Sequence, residues 1–199
     1  MNARLLAVAL FVSTFPHGVN AQYAEFSLSF GQSLFRNEKL NTTDLTNLEQ
    51  YFVTDGFRAA GRLTLNTHRY FGHEIGYSYN RSKLGIQVAE TLQKVSMTTH
   101  QGWYGFLLYA LPEGAPVRPF LAGGGHFTTF YPPGTSVSYG NGVTKFGLNY
   151  GAGVKVKVAP VWGIRFDLRD YAVPKPFDLP GAKGWLHQIE ASAGISLLL

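Results

Sequence analysis

Cysteine is absent from the 199 residues, so no disulfide can hold a loop and no lipidated thiol can anchor the chain. Long apolar runs are also missing. No stretch beyond the first residues approaches the 18 or so consecutive apolar positions that a transmembrane helix needs. Dense basic blocks are lacking as well: 17 Lys and Arg against 12 Asp and Glu give a net charge of +5, spread thinly along the chain. That spread, behind a secretion leader, excludes nucleic acid as a partner. Methionine is scarce at 2 residues, whereas there are 23 Gly, 15 Phe and 11 Tyr. This balance favours strands and turns over helices.

The N-terminus reads as a signal peptide over residues 1–21. Arg4 supplies a positive start, Leu5 to Phe15 are an apolar run too short to span a bilayer, and Val19-Asn20-Ala21 presents small residues for cleavage. Residues 22–199 then read as one domain.

Alternation dominates that domain. Between Gly163 and Arg169, Ile164, Phe166 and Leu168 oppose Arg165, Asp167 and Arg169. Side chains of a strand switch faces at each residue, so one face is apolar and the other fully charged. The same pattern recurs near residues 26–31, 57–66, 71–80, 146–158 and 189–199, with less clear faces near 98–111 and 118–131. Eight strands result, joined by connections that alternate long and short, with long polar loops expected at 36–55, 81–96, 132–145 and 172–184. Short periplasmic turns, long extracellular loops and an even strand number are the rhythm of a barrel that is apolar outside and polar inside. The fold class is therefore all-β: an eight-stranded antiparallel up-and-down transmembrane barrel in the outer membrane.

Three stretches carry a family resemblance: Gly72-His73-Glu74-Ile75-Gly76-Tyr77-Ser78-Tyr79-Asn80-Arg81, Val117-Arg118-Pro119-Phe120-Leu121-Ala122-Gly123-Gly124-Gly125, and Tyr150-Gly151-Ala152-Gly153-Val154. They resemble small outer-membrane barrels of the OmpA/OmpX type, in particular the outer membrane protein beta-barrel domain group. The resemblance implies a monomer inserted by the barrel assembly machinery. Such barrels commonly end in Phe, where this chain ends Leu197-Leu198-Leu199.

A barrel this narrow is filled by its own side chains. The inward register supplies Arg58, Arg62, Lys155, Lys157, Arg165 and Arg169 against Glu25, Glu74, Asp167 and Glu190, enough for an interior ion-pair network that plugs the lumen. Tyr70, Phe71 and Trp162 by short turns, with Tyr79, Tyr131, Tyr171 and Trp185 by long loops, read as two interfacial aromatic girdles. Like charges repel across a ladder. Lys155 is therefore expected opposite Asp167, with Val156 opposite Phe166 and Val154 opposite Leu168. Arg62 is likewise expected opposite Glu74, with Leu63 beside His73.

Catalytic signals are thin. Neither a His-x-Ser nor a His-x-x-x-His arrangement occurs among His68, His73, His100, His126 and His187, although Asp170 and His187 flank the last loop and could meet. Gly123-Gly124-Gly125 lacks the Lys-Ser/Thr of a phosphate loop. The sequence thus points to a non-enzymatic structural or surface-interaction barrel with neither metal nor cofactor. Its expected partners are membrane lipid, lipopolysaccharide and an extracellular ligand bound through the loops. A small-molecule-binding or narrow hydrophobic conduit barrel is the alternative reading, and a lipid A-modifying enzyme the third.

Overall fold

Eight strands close on themselves in chain order, each antiparallel to its neighbours. The computed structural model describes residues 24–36, 39–41, 49–88, 90–132, 142–177, 179 and 183–199. The leader and its cleavage site lie outside these residues, as do parts of the first, third and fourth long loops. The strands are β1 (Ala24–Arg36), β2 (Glu49–His68), β3 (Phe71–Val88), β4 (Thr91–Tyr109), β5 (Val117–Tyr131), β6 (Val143–Lys157), β7 (Trp162–Pro174) and β8 (Trp185–Leu198). Closure occurs where β1 pairs with both β2 and β8, from Glu25 opposite Leu198 to Arg36 opposite His187. Both termini of the barrel lie at the end of the short turns, which is the periplasmic end of such a protein.

The alternating pattern becomes two surfaces. Phe30, Leu121, Phe146, Leu168 and Ile195 are exposed on the outside, while Ser29, Arg62, Glu74, Gln101 and Glu190 are buried inside. The unclear faces of β4 and β5 resolve in the same way. Tyr104, Phe106 and Leu108 point outward; Trp103, Leu107 and Tyr109 point inward, where Leu107 and Tyr109 meet Phe120 and Ala122. Small residues make room for the aromatics. A Cβ on Gly76 would sit 2.1 Å from the Trp103 ring, and one on Gly124 would sit 2.2 Å from the Tyr104 carbonyl oxygen on β4. Glycine at these positions permits close approach of a ring or a neighbouring backbone.

The loop expected at residues 81–96 is not a loop. β3 continues to Val88 and β4 begins at Thr91, and the ladder is unbroken up to the Val88–Thr91 pair. β2 likewise starts at Glu49, well before Phe57. At 20, 18 and 19 residues, β2 to β4 greatly exceed the roughly 9–11 residues needed to cross a bilayer. Their upper parts stand in water on the outside, so exposed polar residues there mimic loop composition while the backbone remains a ladder.

Two registers differ from expectation. Lys155 lies opposite Arg165, Val156 opposite Ile164 and Val154 opposite Phe166. Glu74 lies opposite Thr64, and Leu63 beside Ile75. Both hairpins are displaced by two residues, so each side chain keeps its face and changes its neighbour. The turn sets the β6–β7 register. Val158 N–H donates to the Trp162 carbonyl at 3.0 Å, and Trp162 N–H donates back to Ala159 at 3.3 Å. Neither Lys155–Asp167 nor Arg62–Glu74 is therefore a directly facing pair, and a plug of the lumen cannot rest on those two pairings.

Above the bilayer-crossing part, the lumen ends in an apolar cluster. Phe35, Leu40, Val53, Leu84, Met97, Phe130, Val173 and Leu186 are buried together, with Tyr51, Phe177 and Leu179 packed against them. Leu40 is held in place by its own N–H, which donates to the Tyr51 carbonyl at 2.7 Å, and by Asn41, whose side chain bonds the Glu49 carbonyl and the Tyr51 N–H.

Phe166→Arg is expected to destabilise the folded protein by about 2–4 kcal/mol, because an outward arginine near mid-bilayer meets hydrocarbon. Thr91→Arg, on the projecting end of β4, should change stability by less than about 0.5 kcal/mol. Equilibrium unfolding in urea from phospholipid vesicles checks both.

Candidate functional site

The lumen is layered. At its periplasmic end Lys155 Nζ donates to Glu25 Oε2 at 2.6 Å and to the Tyr109 hydroxyl at 2.9 Å. The Arg118 guanidinium lies 3.7 Å from the centre of the Tyr109 ring and donates to the Arg69 carbonyl at 3.3 Å.

The middle layer holds four guanidinium groups. Glu74 Oε2 is 2.7 Å from Arg165, and its Oε1 is 2.8 Å from Arg169 and 3.9 Å from Arg62. Trp103 Nε1–H donates to the same carboxylate at 3.0 Å. Asp167 takes a two-pronged contact from Arg165, at 2.7 and 2.9 Å, and a further bond from Arg169 Nε at 3.0 Å. One turn of side chains higher, Glu190 pairs with Arg62 and Arg58, the latter at 3.3 Å, and accepts from the Tyr171 hydroxyl at 3.1 Å. All seven charged residues are buried. The planar fork of arginine suits this role, because it can engage two or three carboxylates at once without losing its charge.

A neutral layer follows. Arg58 donates to Gln101 at 2.6 Å, Gln101 to Thr128 at 2.8 Å, Gln188 to Ser33 at 2.8 Å, and Ser33 to Asn80 at 2.8 Å. These bonds lead up to the apolar cluster.

Of the ten charged residues expected inside, Arg58, Arg62, Glu74, Arg165, Asp167, Arg169 and Glu190 form one continuous network, while Glu25 and Lys155 form a pair below it. Lys157 is a correction: it keeps the inward register but lies at the strand end, exposed, and makes no ion pair among the described residues. Tyr171 is a second correction. It is fully buried in the lumen, with Arg58 4.5 Å over its ring and Trp103 edge-on at 5.7 Å. The parity that sends Arg165, Asp167 and Arg169 inward sends Tyr171 inward too. Tyr70, Trp162 and Trp185 are exposed at strand ends, and Tyr79 is exposed on the outer face of β3. Phe71 and Tyr131 are half-buried, Phe71 stacking on Phe106 at 5.4 Å.

Sequence reasoning missed Arg118, Trp103 and Tyr109 as interior groups, because both faces of β4 and β5 are rich in apolar residues. The Tyr171 hydroxyl could have been found from parity alone. Among the described residues no group of three His, Asp or Glu side chains could hold a metal ion.

Asp170 and His187 do meet, on the outer surface rather than in the lumen. His187 Nδ1 is 2.7 Å from Asp170 Oδ2, and the Tyr150 hydroxyl donates to the same oxygen at 2.8 Å. Among the described residues no serine joins them.

A closed antiparallel barrel with an apolar exterior and a charged interior defines an integral β-barrel protein of the outer membrane. The model of the outer membrane protein beta-barrel domain matches residues 5–196, and the chain belongs to that family. Comparison with curated proteins gives no match. Solved structures share the fold. The outer membrane protein OprG from Pseudomonas aeruginosa aligns over 90% of this chain and 96% of its own, with a TM-score of 0.56 and 10% identity. Neisserial surface protein A (NspA) aligns over 91% and 100%, with a TM-score of 0.54 and 13% identity.

Glu74 is the carboxylate on which Arg62, Arg165 and Arg169 converge. Glu74→Gln should cost about 3–5 kcal/mol, since removing one member of a buried ion network leaves charge uncompensated. The unfolding midpoint in detergent, read by the shift between folded and unfolded bands on a gel, measures it.

Proposed function

We propose that this outer-membrane barrel is monomeric and non-enzymatic, with a lumen closed to solutes, and that it acts through its surface and its contribution to the envelope. The observation that carries the reading is the uninterrupted filling of the lumen. Lys155–Glu25, the arginine–carboxylate network, the amide and hydroxyl layer and the apolar cluster succeed one another from one mouth to the other. Opening a path would separate buried ion pairs, each charge then bearing a desolvation penalty of several kcal/mol. The exposed aromatics at the strand ends fit membrane interfaces, and the projecting β2–β4 sheet offers a surface outside the cell.

Catalysis is disfavoured by the geometry around His187. Its partner Asp170 could orient an imidazole base, but the hydroxyl that completes the cluster, Tyr150, bonds the carboxylate, and among the described residues no nucleophile reaches the ring. A conduit reading would need a continuous apolar path, and the charged middle layer interrupts the apolar groups above and below it.

Purified protein in planar bilayers should give no stable conductance. Well-defined openings, or saturable uptake of a small apolar compound into proteoliposomes, would replace this reading with the conduit.

A further inference from the structure

The outer face of β2 to β5 is not uniformly convex. Gly61, Gly102 and Gly125 stand at outward positions where neighbouring strands carry large side chains, and they floor an apolar groove of about 890 Å³ rimmed by Leu63, Tyr77, Tyr104 and Phe127. Phe127 lies across Gly102, where a Cβ would come within 2.6 Å of its ring; a Cβ on Gly125 would touch nothing within 4 Å. The groove therefore remains open along β5.

Directly above it, toward the extracellular end, lies a second recess of about 580 Å³ lined by Asp55, Phe57, Tyr79, Arg81, Lys83 and Ser96. Arg81 and Lys83 are exposed, and neither makes an ion pair among the described residues. Arg81 Nε donates weakly to Ser96 at 3.5 Å. Asp55, the acid of this recess, has Oδ1 engaged by the Phe35 N–H at 2.8 Å. Lys94 on β4, opposite Gly85 of β3, adds a third exposed cation on this hairpin.

The two recesses adjoin. Tyr77 rims the lower and Tyr79 lines the upper, and Arg81 lies four residues beyond Tyr77, roughly 13 Å at about 3.3 Å per residue. Between them His100 forms an aromatic shelf, edge-on to Tyr79 at 5.5 Å and to Tyr131 at 5.3 Å. An apolar slot at bilayer depth, a shelf of rings and a pair of cations at the outer surface match a molecule with the same three parts in the same order.

We propose that this face binds a phosphorylated glycolipid of the outer leaflet. One acyl chain lies in the glycine-floored groove, the sugar packs on the His100–Tyr79–Tyr131 shelf, and a phosphate sits on Arg81 and Lys83. Arginine and lysine beside a phosphate make charge-assisted hydrogen bonds, and basic recesses beside membrane-embedded surfaces select anionic headgroups. The site lies outside the barrel, so it stands whether or not the lumen conducts.

Native mass spectrometry of the full barrel, extracted from nanodiscs of phosphatidylcholine doped with bis-phosphorylated, hexa-acylated lipid A, tests it. The unsubstituted protein should retain one lipid A. The Arg81→Gln/Lys83→Gln double variant and Gly125→Leu should each lower the retained fraction at least tenfold. Gly123→Leu, at an outward position just as open but outside the groove, should stay within twofold. A heat-modifiability gel verifies that each variant is folded. Were Gly125→Leu to fail to fold, the Arg81 and Lys83 substitutions, on the projecting part of β3, still decide the matter. Undiminished retention by the double variant or by a folded Gly125→Leu overturns the site. Equal retention of lipid A stripped of phosphate overturns the role of the cations, and equal retention of cardiolipin overturns the choice of a glycolipid.

Discussion

Everything in this molecule follows from the need to pair every backbone N–H and C=O of a chain immersed in hydrocarbon. An unpaired group there costs several kcal/mol, so a sheet with free edges cannot span a bilayer. The antiparallel ladder between β1 and β8 removes the last edge, from Glu25–Leu198 to Arg36–His187. Closure at eight strands then fixes the bore, and a bore that narrow must be filled by side chains. The charged interior is thus a consequence of closure, and its charges are tolerated only because closure brings opposite walls within reach.

That reach explains why Lys155 can face Arg165 inside. Arg165 on β7 contacts Glu74 on β3, and Lys155 on β6 contacts Glu25 on β1. In an open sheet, Lys155 facing Arg165 would be an unfavourable neighbour pair. Here each is drawn inward to a carboxylate from another strand, and the hairpin is free to adopt the register that its turn prefers. Turn hydrogen bonds are local, whereas a long basic side chain can swing toward a partner several ångströms away.

The two ends of the barrel differ in kind. The periplasmic end is closed by tight turns, Gly114 adopting a positive φ of 90° in one of them, a conformation that glycine reaches without a Cβ penalty. The opposite end is built up by β2 to β4, which extend beyond the bilayer and enclose the apolar cluster around Met97 and Phe130. A small soluble-type core thereby sits on top of an ion-filled membrane section. Outside, β3 and β4 carry the cations, while glycines lower down thin the lipid-facing surface.

Read alone, the sequence determined the strand count, the inside and outside of six strands, and most of the charges that face the lumen. These depend only on period-two alternation, which is local. It did not reveal that residues 81–96 are a hairpin, because strands in water on their outer face lose the apolar–polar contrast that marks a membrane strand. Nor did it resolve β4 and β5, where Trp103, Leu107, Tyr109 and Phe120 make the inner face as apolar as the outer. The two-residue shift of both registers left every face unchanged and so was invisible to alternation. Which carboxylate each arginine meets, and that Lys157 meets none among the described residues, was decided by the diameter and stagger of the closed barrel. Those are properties of the ring as a whole, and no single strand encodes them.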